Sequence, residues 1–158
     1  MSAVIVAADG RYLDADDDAL RLLGLTMEAL HRYSVGDFSG PLASVVRMVW
    51  RRYTRTGRTI PLAEATLHLP DGSEVRVRYT RIDRLANGRY ELQLEPADDS
   101  GDVPVVARPA EILAEWRAAE REAALVGGPA AAEAEALRAL YHLAAAKLHE
   151  PLRRARSA

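Results

Sequence analysis

Cysteine is absent from the 158 residues. That excludes disulfides, thiolate nucleophiles, zinc–sulfur sites and a cysteinyl–flavin adduct together. Lysine is nearly absent as well: Lys147 stands alone, so positive charge is carried by arginine. No stretch approaches the ~18 consecutive apolar residues of a membrane span, and no basic segment followed by an apolar run opens the chain. A cytoplasmic protein without membrane contact is therefore expected. The net charge of −2 supplies no field that would draw nucleic acid or anionic lipid. Glycine-rich phosphate loops, an H-E-x-x-H pattern and a nucleophile–base constellation are missing too, so no enzyme is expected.

What is present is ordinary for a globular chain: 49% hydrophobic and 28% charged residues. The length suits one domain with an appendage. Val4-Ile5-Val6 is a short β-branched run stopped by Asp9-Gly10, a hairpin dipeptide, and Arg11 to Ala15 reads as its partner strand. Asp16-Asp17-Asp18 precedes Ala19, Leu20, Leu22 and Leu23, which predicts an N-capped short helix ended by Gly24. Capping accounts for these carboxylates better than a metal, because adjacent aspartates do not converge on one ion without further oxygen ligands. A second short helix begins near Thr26 and runs to about His31. Gly40-Pro41 opens the longest helix of this half, with Leu42, Val45, Val46, Val49 and Tyr53 on one face and Gly57 at its end.

Three alternating strands follow. Ala63, Ala65, Leu67 and Leu69 oppose Glu64, Thr66 and His68; Val75, Val77 and Tyr79 oppose Arg76 and Arg78; Tyr90, Leu92 and Leu94 oppose Glu91, Gln93 and Glu95. Each strand has one apolar and one polar face, as an antiparallel sheet covered on one side requires. Arg76 and Arg78 are predicted to pair with some of Glu64, Glu91 and Glu95. The resulting polar face is either simply solvated or a docking surface.

The order of these elements resembles the PAS domain. The likeness is carried by Ala8-Asp9-Gly10-Arg11-Tyr12-Leu13-Asp14-Ala15-Asp16, by Ala19-Leu20-Arg21-Leu22-Leu23-Gly24-Leu25, by Thr26-Met27-Glu28-Ala29-Leu30, and by the turn Leu69-Pro70-Asp71-Gly72-Ser73. The first two resemble the family's D-G-x-[IL]-x-x-x-N-x-x-[AF]-x-x-[LM]-x-G entry, with Asp16 where the family often has Asn. The resemblance implies an α+β fold with a five-stranded antiparallel sheet and helices on one face. It also implies small-molecule sensing, dimerisation and relay to an output.

The predicted organisation is a PAS-like domain over 1–96, a linker over 97–109, a C-terminal helical arm over 110–150 forming a hairpin, and a basic tail over 151–158. Gly127-Gly128-Pro129 breaks the arm into two helices, the second stopping at about His149 before Pro151. Ile112, Trp116, Ala119, Ala123 and Val126 follow a 4-3-4-3 spacing, a short heptad seam. Leu137, Leu140, Tyr141, Ala144 and Leu148 form a second stripe. Helices this short must bury their stripes, and the seam points to a homodimer, with docking on the own domain as the alternative. Leu148-His149-Glu150-Pro151-Leu152-Arg153 faintly resembles a histidine-kinase phosphoacceptor box; a helix end stopped by proline is the plainer account.

Candidate pocket residues are Val46, Val49, Trp50 and Tyr53 from the long helix and Leu67, Val77, Tyr79 and Leu92 from the sheet. These either fill a core or line an apolar ligand pocket with tyrosine or tryptophan tips. Any cofactor remains unknown. Haem is disfavoured, since residues 41–56 lack the histidine that PAS-like haem sensors place there. The expected function is a non-catalytic signalling sensor or adaptor that acts on another signalling protein. The alternative is a ligand-free interaction or dimerisation module of a two-component or transcriptional regulatory system.

Overall fold

The computed structural model describes residues 2–58, 64–97 and 109–157, with side chains described up to 146, that of Glu64 excepted. Most of the predicted linker, Ala63, and the side chains of the basic tail lie outside the described residues. Five strands, β1 (Ser2–Val6), β2 (Tyr12–Ala15), β3 (Glu64–His68), β4 (Glu74–Arg84) and β5 (Tyr90–Pro96), form one sheet in the order β2-β1-β5-β4-β3. Every pairing is antiparallel. Helices α1 (Asp17–Leu23), α2 (Met27–Leu30) and α3 (Ala43–Thr56) follow β2, and α4 (Pro109–Val126) and α5 (Ala130–Ser157) form the C-terminal hairpin.

The alternation that predicts the strands also sets the core. Val4, Val6, Leu67, Val77, Tyr90, Leu92 and Leu94 are buried on the inner face with Leu30, Phe38 and Trp50 over them. β4 continues to Arg84, beyond the expected stretch ending at Tyr79. A register shift between Tyr79 and Arg81 absorbs Thr80 as an extra residue, which keeps Tyr79 opposite Leu94 and Ile82 opposite Leu92. On the outer face Arg78 Nη1 lies 3.5 Å from Glu95 Oε1. Glu91 instead stands across from Asp83 and Ile5. The Arg78–Glu95 pair is about half exposed, so its contribution is small.

Asp16 has two jobs. One carboxylate oxygen accepts from the Ala19 N–H at 2.8 Å and caps α1, while the other accepts from the Ala3 N–H at 3.0 Å and ties that cap to β1. Thr26 caps α2 through the Ala29 N–H, and Gly24 closes α1 in the left-handed conformation. Gly36, at φ 98°, is demanded twice over: a Cβ there would sit 2.8 Å from Arg47 Cγ and 3.0 Å from the Ala43 carbonyl. This tight approach seats the 33–39 segment against the start of α3. The segment is also joined to the sheet through Val35 N–H to Gly10 O at 2.8 Å and His68 N–H to Phe38 O at 2.7 Å.

One helix boundary departs from expectation. α5 does not stop at His149 but runs through Pro151 to Ser157. A proline removes one main-chain hydrogen bond and crowds the preceding turn, yet Leu, Arg and Ala on its C-terminal side are good helix formers that continue the spiral.

Candidate functional site

α3 lies between two layers. Its sheet-facing side carries Val46, Trp50 and Tyr53 against the domain core, and its opposite flank carries Val45 and Val49 against α4 and α5. The apolar stripe read from the sequence therefore divides between two faces about 100° apart.

On the sheet side these residues border a cavity of about 90 Å³. Of the eight predicted pocket residues, Val46, Val49, Trp50, Tyr53, Leu67, Tyr79 and Leu92 line it, whereas Val77 is fully buried in the core beside it. Tyr12, Val35, Gly36, Phe38, Ser39, Ala65 and Ile82 complete the wall. Ala65 was already read as inward, whereas the 33–39 residues escaped sequence reading because that segment has no periodicity that announces an inward face. The Asp9-Gly10 turn that places Tyr12 was the only available signal.

The cavity's polar groups are few. The Trp50 indole N–H donates to the Ala8 carbonyl at 3.1 Å and is thereby satisfied. Trp50, Tyr53 and Tyr90 pack edge-on to one another at centroid distances of 5.2–5.7 Å. Tyr12 stacks on Phe38 with 5.8 Å between centroids. Burial pushes the Tyr12 phenol well above its ordinary range, reinforced by Tyr79 and Asp37 nearby, and burial alone pushes Tyr79 up to about 12. Both phenols therefore stay protonated over the physiological range. The sign of the linkage follows: for Tyr79, stability is fully present below pH 10.0, its unperturbed value, and is lost as pH rises towards about 12. A spectrophotometric alkaline titration should show Tyr12 and Tyr79 ionising only as the fold is lost; tyrosinate absorbance from all six tyrosines before unfolding would refute this.

On the other side of α3 the hairpin is locked by charge. Arg52 is 3% exposed and its guanidinium reaches Glu115, Glu122 and Glu133 at 3.1–3.3 Å. Arg55 binds Glu122 at 2.6 Å and also Glu133, whose side chain is 1% exposed. Hydrogen bonds donated to Glu133 and then to Glu122 hold Arg55 even more firmly protonated than usual, and Arg55 in turn holds Glu122 below the ordinary carboxylate range. Residues 52 and 55 read as outward arginines in the sequence because nothing local reveals that two helices some 60 residues later will cover them.

The hairpin core uses up most of the predicted interface. Ile112, Ala119, Leu137 and Leu140 are 0–6% exposed within their own chain, with Trp116 and Tyr141 half-buried at a centroid distance of 5.8 Å. Ala123 is half-buried and Val126 is 81% exposed; the Leu148 side chain lies outside the described residues. Most of the seam thus packs within its own hairpin and against Val45 and Val49 of α3 in the same chain, the docking that stands as the alternative to a homodimer. Among the described residues no three His, Asp or Glu side chains gather as a metal site, and no helix is long and apolar enough to cross a membrane.

No family model and no curated protein matches the chain. Among solved structures, a domain of a sensory box sensor histidine kinase/response regulator from Geobacter sulfurreducens superposes with a TM-score of 0.52 at 20% identity, covering 61% of this chain and 82% of that one. The PAS domain of the RpfR quorum-sensing receptor from Cronobacter turicensis, in complex with C12:0, gives a TM-score of 0.51 at 16% identity, covering 61% of this chain and 92% of that one. Identity this low speaks for the fold alone. Together with the β2-β1-β5-β4-β3 order and the helices over one face, it establishes that this chain carries a PAS-fold domain.

Proposed function

We propose that this protein is a non-catalytic signalling sensor or adaptor. Its cavity takes a small apolar ligand, and α3 passes the occupancy of that cavity to the C-terminal hairpin, which contacts a signalling partner. The observation that carries this reading is Val49, which lines the cavity and also packs in the hairpin core. A close-packed helix with contents on both sides cannot shift on one without disturbing the other. The lining favours an apolar occupant, because its 14 residues include no charged side chain. The C12:0 complex of the Cronobacter domain is a precedent for an apolar chain in this fold.

A second reading, a ligand-free interaction module, draws on Leu125 and Val126, which are 85% and 81% exposed at the hairpin tip. The two tryptophans distinguish the readings, since Trp50 borders the cavity and Trp116 sits in the hairpin. On titrating toluene into labelled protein, the indole N–H resonances of both should move together. Unchanged Trp50 would leave only the interaction module, and movement of Trp50 without Trp116 would remove the relay.

A further inference from the structure

Tyr12 and Tyr79 present hydroxyls that the protein itself does not use. Neither has a hydrogen-bond partner among the described residues, although both residues line the cavity and are partly buried against the core. A buried phenol ordinarily finds a partner, because leaving it unpaired carries a desolvation penalty. Here no side-chain polar atom among the described residues is both sealed off and unpaired. Each hydroxyl therefore keeps some accessible surface, and both residues border the same cavity.

The electrostatic setting restricts what that something is. No lining residue is charged. The Asp37 carboxylate, which is negative, also bears on Tyr12. Arg47, the cation on this side, is already committed to Asp37 at 2.6 Å. An anionic head group would enter without a counter-charge and beside a carboxylate, at considerable desolvation cost. Both phenols remain O–H donors, so the matching group is an acceptor.

Resting on the ligand-binding reading above, we infer that the cavity selects a neutral, mostly hydrocarbon molecule bearing one carbonyl-type acceptor (a ketone, ester or amide), held by the hydroxyls of Tyr12 and Tyr79. The hydrocarbon part lies against Phe38, Val46, Trp50 and Leu67, and the carbonyl oxygen accepts from the phenols.

The test uses the full chain and three probes of equal chain length: hexane, hexan-2-one and ionised hexanoate. Binding is read from the Trp50 indole resonance in wild type, Tyr12→Phe and Tyr79→Phe. Each substitution keeps the ring, including the Tyr12–Phe38 stack, and unchanged melting temperatures confirm intact folds. Hexan-2-one should bind wild type and weaken about 5-fold in each variant, the size of one lost hydrogen bond, while hexane is unaffected. Hexanoate should bind at least about 10-fold more weakly than the ketone, as an unpaired charge in an apolar site requires. Equal ketone affinity in wild type and both variants would overturn the assignment of the phenols, and tighter hexanoate binding would overturn the neutral-ligand rule. In either case, hexane binding would leave the apolar-ligand reading standing. If none of the three binds, that reading falls as well.

Discussion

Arg52→Ala should lower the stability of the folded chain by about 3 kcal/mol, because it strips the buried central cation from a partly buried charge cluster. Three carboxylates, Glu115, Glu122 and Glu133, converge on Arg52, and two of them also meet Arg55. Without Arg52, the Glu133 carboxylate, 1% exposed, keeps only Arg55, and that guanidinium is shared with Glu122. Buried charge clusters are poor sources of net stability when intact, yet breaking one strands the remaining charges. The double variant Arg52→Met/Glu133→Met should therefore recover most of the loss, to within about 1 kcal/mol of wild type, since it removes the burden as well as the partner. Urea denaturation of the two variants checks this. A single variant within about 0.5 kcal/mol of wild type would mean that water reaches the cluster freely.

Ile112→Glu should have a comparable or larger effect, reached differently. Ile112 is 0% exposed in the hairpin core beside Ala119, Leu137 and Leu140, and the core offers the new carboxylate no partner. An unpaired ion in such a place costs several kcal/mol. The chain can escape by releasing the hairpin from α3, so the penalty is limited to the free energy of docking. Hydrogen exchange should then show amides of residues 112–141 losing protection while those of β5 retain theirs. Simultaneous loss in both regions would show that the sheet and the hairpin fold as one unit.

The sheet was legible in the sequence because an antiparallel strand with one wet face writes its register as alternation, residue by residue. The caps were legible for the same local reason: Asp16 and Thr26 need only their own next turn. The hairpin's existence could be read from the Gly127-Gly128-Pro129 break, but its destination could not. Docking depends on matches between distant segments, such as Arg52 with Glu133, and helical period marks which residues share a stripe without saying how many partners surround it. Val45 fell into the same stripe as Val46 and Tyr53 although it faces a different layer, and Val49 reaches both layers. Tyr12 was missed in the cavity because it lies on a short strand with no alternation to orient it.

The position of α3 between two layers also limits how this sequence can change. Of its fourteen residues, only Ser44, Arg47 and Arg51 are exposed without being drawn into the hairpin's charge cluster, and Arg47 is tied to Asp37. A substitution at Val45, Val46, Trp50, Arg52, Tyr53 or Arg55 must satisfy the cavity or the hairpin, and at Val49 it must satisfy both. Mutational tolerance should therefore be lowest in the one helix whose composition, rich in arginine and spaced like an ordinary surface helix, would suggest the most freedom.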